Sequence, residues 1–324
     1  MNIAVVGTNF ISDRFVEAAA LCKNAKITAV YSRKHDTGMA FADKYGIKTV
    51  YTDYLDMLSD ENIGGVYIAS PTFCHAAQAV RAMRAGKHVL CEKMMGADLA
   101  DCLWMERVRE ECGVVLLEAM RPAHDPAIEV IRSALPRLGK IRRASLEFCQ
   151  YSSRYDAFLS GEVLNAFDPK IKNSALADIG IYPLHMAVNL FGEPKSVQAS
   201  SIFLSNGFEG QGILTLGYGD MIATVVYSKI TSGVNPSVIE GERGSLIIDK
   251  ISAPSDITLH LRGEAPARLD YTAVQNNMVY EIEAFCDMAE GRSDCMPYLA
   301  ITEKAHRIVE EAYKLSGASA FMQT

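Results

Sequence analysis

Short apolar runs alternate with amphipathic stretches through the first 120 residues. Residues 3–6 form an apolar run that ends at Gly7, and the next stretch puts Phe10, Ile11, Phe15, Val16, Ala19 and Ala20 on one broad helical face. The same rhythm predicts strands at 27–31, 49–51, 66–69, 89–90 and 114–117. It predicts helices near 37–45, 54–58, 75–85 and 99–111, the last two stopped by Gly86 and Gly113. Strands that alternate with helices imply a parallel, doubly wound sheet with right-handed crossovers.

The pattern changes after Met120. A helix is expected near 126–134, followed by strand-like segments at 141–150, 196–204, 212–216, 221–228, 238–240, 246–249 and 257–261. Strands that follow one another through short turns suggest a largely antiparallel sheet. Two helices, near 279–290 and 300–315, are expected to close the chain. No internal repeat, low-complexity stretch or long linker interrupts it. The expected class is α/β, with a doubly wound domain over 1–120 and an α+β domain over 121–324.

At 324 residues the chain is long for one ordinary core and suits two domains. Its formal charge of −7 and pI of 5.6 argue against a nucleic-acid partner, which needs concentrated Lys and Arg. No apolar run approaches the ~20 residues that span a bilayer. The N-terminus enters a strand pattern without a signal-like segment, so a cytoplasmic location is expected. The eight cysteines form no CxxC pair and several fall in apolar patterns. They are expected to be free thiols, and no metal site is expected.

A dinucleotide turn of the form G-x-G-x-x-G would fall on Gly7-Thr8-Asn9-Phe10-Ile11-Ser12, which keeps one glycine of three. Asn9 is expected to replace the second glycine because Asn visits left-handed backbone angles readily. Ser12 is small enough for helix and strand to approach. Gly7, Thr8, Asn9, Phe10 and Ile11 would then face a pyrophosphate at a helix N-terminus. At the end of the second strand, where Asp or Glu would hold a ribose 2′-hydroxyl, the chain offers Ser32-Arg33-Lys34. Two cations and a hydroxyl suit a 2′-phosphate, so NADP(H) is favoured and NAD(H) remains possible.

Lys93 follows the apolar strand at 89–90. Asp178 and Tyr182 are four residues apart and His185 is three further on, so on a helix they share one face. Ile181, Leu184 and Val188 mark a different face, suited to the core, and the helix is expected to end at Gly192. Hydride transfer from an alcohol carbon requires a base for the hydroxyl proton. A tyrosine with an ordinary pKa of ~10 needs a neighbouring cation for that work, and Lys93 is the candidate. Asp178 could hold an ammonium or a substrate hydroxyl. His185, Arg121 and Tyr155 are candidate substrate contacts.

Several segments together resemble the glucose-fructose oxidoreductase, inositol dehydrogenase and rhizopine catabolism family, known as Gfo/Idh/MocA. They are Val5-Val6-Gly7, Ala69-Ser70-Pro71-Thr72 with His75, the run from Ala85 to Lys93, Glu118-Ala119-Met120, the run from Asp178 to Tyr182, and the run from Gly241 to Ser245. The resemblance implies an N-terminal Rossmann domain and a C-terminal domain whose open, mainly antiparallel sheet forms a homodimer or homotetramer. It implies that Lys93, Tyr182 and Asp178 are catalytic. It also places Ser70, Pro71, Thr72, His75 and Glu92 near the cofactor. Met94 stands where the family has proline, and His185 stands where many members have Asp or Asn. The activity implied is an NAD(P)-dependent dehydrogenase or reductase acting on a sugar, polyol or related hydroxyl compound. The alternatives are a trans-dihydrodiol dehydrogenase-like activity and a non-catalytic nucleotide-binding regulator of the same fold.

Overall fold

The computed structural model describes residues 1–318. They divide into two compact units. The first contains residues 1–121 and 275–303, and the second contains 122–274 and 304–318.

In the first unit six strands pair in parallel: β1 (Asn2–Val6), β2 (Lys26–Tyr31), β3 (Thr49–Tyr51), β4 (Gly65–Ile68), β5 (His88–Glu92) and β6 (Leu116–Ala119). Their spatial order is β3-β2-β1-β4-β5-β6, the doubly wound order anticipated from the alternation. β4 and β6 are buried at every position, as strands covered on both faces must be. The crossover helices carry local stop and start signals. The helix Leu99–Cys112 starts where the Asp98 side chain accepts a hydrogen bond from Asp101 N. It stops at Gly113, whose left-handed backbone lets its N–H reach the Arg109 carbonyl.

The chain leaves this unit at Arg121, one residue beyond the expected boundary. Residues 275–303, expected in the second domain, belong to the first instead. The reason is apolar spacing. Met278, Ile282, Phe285 and Cys286 form one buried stripe on the helix Met278–Ala289, and this stripe joins the core of the parallel sheet. Gly65 leaves room for it, because a Cβ there would lie 3.1 Å from the Phe285 ring.

The second unit contains β7 (Ile141–Cys149), β8 (Ser196–Phe203), β9 (Glu209–Gly217), β10 (Ile222–Ser228), β11 (Ser237–Gly241), β12 (Gly244–Ile248), β13 (Ile257–Leu261) and the two-residue β14 (Ala267–Arg268), which was not expected. Their order is β14-β13-β12-β11-β7-β10-β9-β8. All pairs are antiparallel except β7 with β10. Alternation sorts the faces. Ala144, Leu146, Leu214, Leu216, Ala223, Val225 and Ile239 are buried on one face. Ile202, Ile213 and Ile222 share the other and are 53%, 40% and 53% exposed. The helix Ile181–Phe191 covers the buried face against β7 and β10. Every residue from Ile181 to Val188 is buried, so the expected division into polar and apolar faces does not hold. No helix among the described residues is long and apolar enough to cross a membrane. All eight cysteines are free thiols, and five of them are buried.

Candidate active site

Gly7, Ser32, Ser70 and Lys93 all lie just beyond the C-terminal ends of parallel strands, around the β1–β4 junction where the strand order reverses. That edge is where open α/β sheets bind ligands. Gly7 has φ +106°, and a Cβ there would sit 2.8 Å from the Ala69 carbonyl oxygen. Only glycine fits, and the backbone is left open to a close approach. Asn9 does not take the left-handed conformation expected of it. Its backbone is extended and it caps the helix Phe10–Ala19, its side-chain oxygen accepting from Ile11 N and Ser12 N at 3.1 Å. Its amide nitrogen donates to Ala69 O at 2.7 Å, tying the first turn to the segment after β4. Ser12 is fully buried, as its small size required. A turn with an obligatory glycine and exposed Asn9 and Phe10 at a capped helix start suits a dinucleotide pyrophosphate.

At the end of β2, the Ser32 hydroxyl is tied into its own turn. It donates to Lys34 O at 3.0 Å and accepts from Lys34 N at 3.3 Å. Arg33 and Lys34 are exposed, and Arg33 lies close enough to the Cys74 thiol to favour its charged form. The two cations therefore stand free of the sheet at the place where a ribose substituent is read.

Lys93 sits on a turn whose backbone is fixed from several sides. The Lys93–Met94 peptide is cis. His75 joins this turn to the other strand end, with Nδ1 3.0 Å from Met94 O and Nε2 2.8 Å from Ser70 O. Glu118 accepts from Met95 N at 2.8 Å and from the Thr302 hydroxyl at 2.9 Å. Glu92 accepts from Lys93 N at 3.2 Å and from the Tyr67 hydroxyl at 2.6 Å. The expectation for His75 needs correction. It is 1% exposed, each ring nitrogen lies within 3.0 Å of a carbonyl oxygen, of which the single N–H of a neutral ring serves one, and burial pushes its pKa down. It braces the site from behind, with both ring nitrogens turned towards main-chain carbonyls of the protein. Glu92 is also buried. Burial raises its pKa, and the Lys93 charge and the Tyr67 hydrogen bond oppose that rise. Ser70 is half-buried and bonded to Gln78, while Pro71 and Phe73 are exposed on the short turn that follows.

In the second unit Asp178 lies on a widened π-helical turn, Leu176–Gly180, that runs into the helix bearing Tyr182. Such turns recur at functional positions. The turn is pinned from β9 and β10. Glu209 is fully buried, and accepts from Leu176 N at 3.0 Å, the Tyr227 hydroxyl at 2.9 Å and the Ser201 hydroxyl at 2.6 Å. Burial raises the Glu209 pKa and these donors pull it back. Gly180 permits the packing, since a Cβ there would meet the Tyr227 ring at 2.7 Å. The Tyr182 ring lies 5.6 Å from that of Phe148 and is 7% exposed. Asp178 pairs with Lys229, Oδ2 to Nζ, at 2.8 Å.

His185 does not share an open face with Asp178 and Tyr182. It is 2% exposed, and its pKa is pushed down to about 3 by burial and by the nearby His124 and His306. A neutral interior imidazole replaces the expected substrate contact. Tyr155 belongs to an aromatic cluster, stacked on Phe158 and on Phe167 with centroids 6.0 and 5.4 Å away. Arg121 lies near enough to Glu92 and Glu281 to favour their charged forms. Sequence reasoning missed Lys229, Glu209 and Tyr227. The only trace was a lysine closing the apolar strand at 221–228.

Comparison with known proteins decides what this arrangement belongs to. Residues 1–119 match the GFO_IDH_MocA oxidoreductase family with NAD-binding Rossmann fold, and residues 132–247 match the GFO/IDH/MocA C-terminal domain. The chain belongs to the Gfo/Idh/MocA family. It is an NAD(P)-dependent oxidoreductase. It is 38% identical to scyllo-inositol 2-dehydrogenase (NADP(+)) IolU of Bacillus subtilis, over 98% of this chain and 97% of that one. It is 27% identical to trans-1,2-dihydrobenzene-1,2-diol dehydrogenase of Mus musculus, over 97% and 96%. The Gfo/Idh/MocA fold also appears in a 3-ketoreductase from Actinomadura kijaniata, solved with NADP and TDP-benzene. That structure has TM-score 0.87 and 20% identity, with 98% of each chain covered.

Proposed function

We propose that this chain is an NADP-preferring dehydrogenase that oxidises a secondary hydroxyl of an inositol or related polyol, or reduces the corresponding ketone. One observation carries the reading. Lys93, Asp178 and Tyr182 stand on firmly braced backbone in a chain 38% identical, over 98% of its length, to an NADP-dependent scyllo-inositol 2-dehydrogenase. Ser32-Arg33-Lys34 supports the phosphorylated cofactor, whose 2′-phosphate would meet the exposed Arg33 and Lys34.

When bound, NADP+ supplies the hydride acceptor. Gly7 to Ile11 would hold the pyrophosphate, and the Ser70–Thr72 segment would border the nicotinamide. Lys93 is assigned the cation that stabilises negative charge on the reacting oxygen, Tyr182 the group that takes its proton, and Asp178 the grip on a neighbouring hydroxyl. The outward apolar face carrying Ile202, Ile213 and Ile222 supports self-association through the second unit's sheet.

Fluorescence titration with NADPH and NADH tests the cofactor, and NADP+ reduction with scyllo-inositol, myo-inositol and a panel of sugars tests the chemistry. NADPH is expected to bind at least tenfold more tightly, with turnover on an inositol. Tighter NADH binding would reverse the cofactor assignment. Tight NADPH binding with no turnover on inositols, sugars or trans-dihydrodiols would favour a regulator.

A further inference from the structure

Lysine is almost never fully buried unless it is paired, because removing an ammonium from water costs several kcal/mol. Lys229 is 3% exposed. Its ammonium reaches Asp178 Oδ2 at 2.8 Å and donates to the Ala166 carbonyl at 2.6 Å. It also lies 4.9 Å from the centroid of the Phe167 ring and 5.1 Å from that of Phe208, whose negative faces favour a cation. The Asp178 side chain is 35% exposed. One end of this ion pair is thus enclosed, and the carboxylate end reaches the surface.

The backbone of Asp178 is held separately. Asp178 N donates to Ser174 O at 3.0 Å, Ala177 N donates to the Ser174 hydroxyl at 3.0 Å, and Glu209 takes Leu176 N. The main chain therefore needs nothing from Lys229. What the buried ammonium adds is a fixed orientation of the carboxylate and a fixed charge beside it. Tyr227 and Lys229, two residues apart at the end of β10, divide the work: one supports the turn and the other aims its side chain.

We propose that Lys229 is a positioning residue for Asp178. It holds one carboxylate oxygen so that the other is presented to a substrate hydroxyl. This rests on the polyol reading above, in which Asp178 grips such a hydroxyl. A carboxylate held at one oxygen accepts a hydroxyl in one direction, so Lys229 selects which vicinal hydroxyl is recognised.

The test is a double-mutant cycle with Lys229→Met, Asp178→Asn and both together, assayed with scyllo-inositol and NADP+. Lys229→Met is expected to lower kcat/KM at least tenfold, mainly through KM, and to leave NADPH affinity within about threefold. In the Asp178→Asn background the same change should alter kcat/KM by less than about threefold. Lys229→Arg should recover part of the loss. Equal losses in both backgrounds, or a parallel loss of NADPH affinity, would overturn the proposal. Thermal midpoints of the same four proteins need no substrate. Non-additive shifts are expected, and additive shifts would also overturn it. Should scyllo-inositol give no turnover with the wild type, the polyol reading falls and the thermal cycle alone decides on Lys229. If Lys229→Met does not fold, Lys229→Arg takes its place in the cycle and the same non-additivity is expected.

Discussion

Acid should destabilise the second unit through histidines that cannot take up protons where they sit. His185 is pushed down to about 3 by burial and by the neighbouring His124 and His306, and burial pushes His124 down to about 4. In the unfolded chain each would titrate near ~6.5. A histidine depressed on folding gives stability that is complete above the unfolded value and is lost as pH falls towards the folded one. For His185 the loss between pH 7 and 4.5 is about 2.5 kcal/mol, and His124 adds a similar amount. Together, about 5 kcal/mol is a large part of a domain's usual stability. His185→Gln stays neutral at every pH. It should lose about 1 kcal/mol at pH 8 through packing, yet its stability should fall about 2.5 kcal/mol less than the wild type's on going to pH 4.5. Urea unfolding followed by circular dichroism across that range reads the difference directly. Parallel stability curves for the two proteins would refute the assignment of a neutral, buried His185.

Gly7→Ala places a Cβ 2.8 Å from the Ala69 oxygen at a left-handed position. It should cost about 1–3 kcal/mol locally and weaken NADPH binding at least tenfold by titration, with secondary structure intact. Gly180→Ala forces its methyl to within 2.7 Å of the Tyr227 ring. Overpacking of about 1–3 kcal/mol should displace the Asp178 turn, read as a fall in kcat/KM with NADPH affinity unchanged. Glu281 is fully buried, and neither carboxyl oxygen has a hydrogen-bond partner among the described residues, so burial raises its pKa far above the carboxylate range. A raised carboxyl contributes stability below its unfolded value near ~4.3 and loses it as pH rises. Glu281→Gln should therefore be more stable than wild type at pH 8, by about 1 kcal/mol or more, with a smaller advantage at pH 5. An advantage that does not grow between those values in urea unfolding would contradict this.

The architecture was legible because each element carries its own period. The strands at 66–69 and 114–117 read as unbroken apolar runs, and the antiparallel strands of the second unit read as alternations. What the sequence hid was non-local. Nothing near residue 278 announces that its stripe completes the core of a sheet built 200 residues earlier. Asn9 was legible as a turn residue, but a glycine position and a cap place the same side chain, and only the backbone angle separates them. His185 followed its helical spacing to the wrong conclusion, because the helix is buried all round and spacing says nothing about what covers a face. Lys93 and Asp178 could be named from motif and spacing. Their supports, His75, Glu118, Glu209, Tyr227 and Lys229, come from distant segments that no local pattern links.

Lys93 and Tyr182 are assigned the charge stabilisation and proton transfer of a reaction on bound NADP(H). Single-turnover hydride transfer, followed by nicotinamide absorbance in Lys93→Ala and Tyr182→Phe alongside NADPH titrations, tests that assignment most directly. Each variant is expected to slow transfer at least 100-fold while its NADPH dissociation constant stays within about threefold of the wild type's. Transfer at the wild-type rate in Lys93→Ala would contradict it.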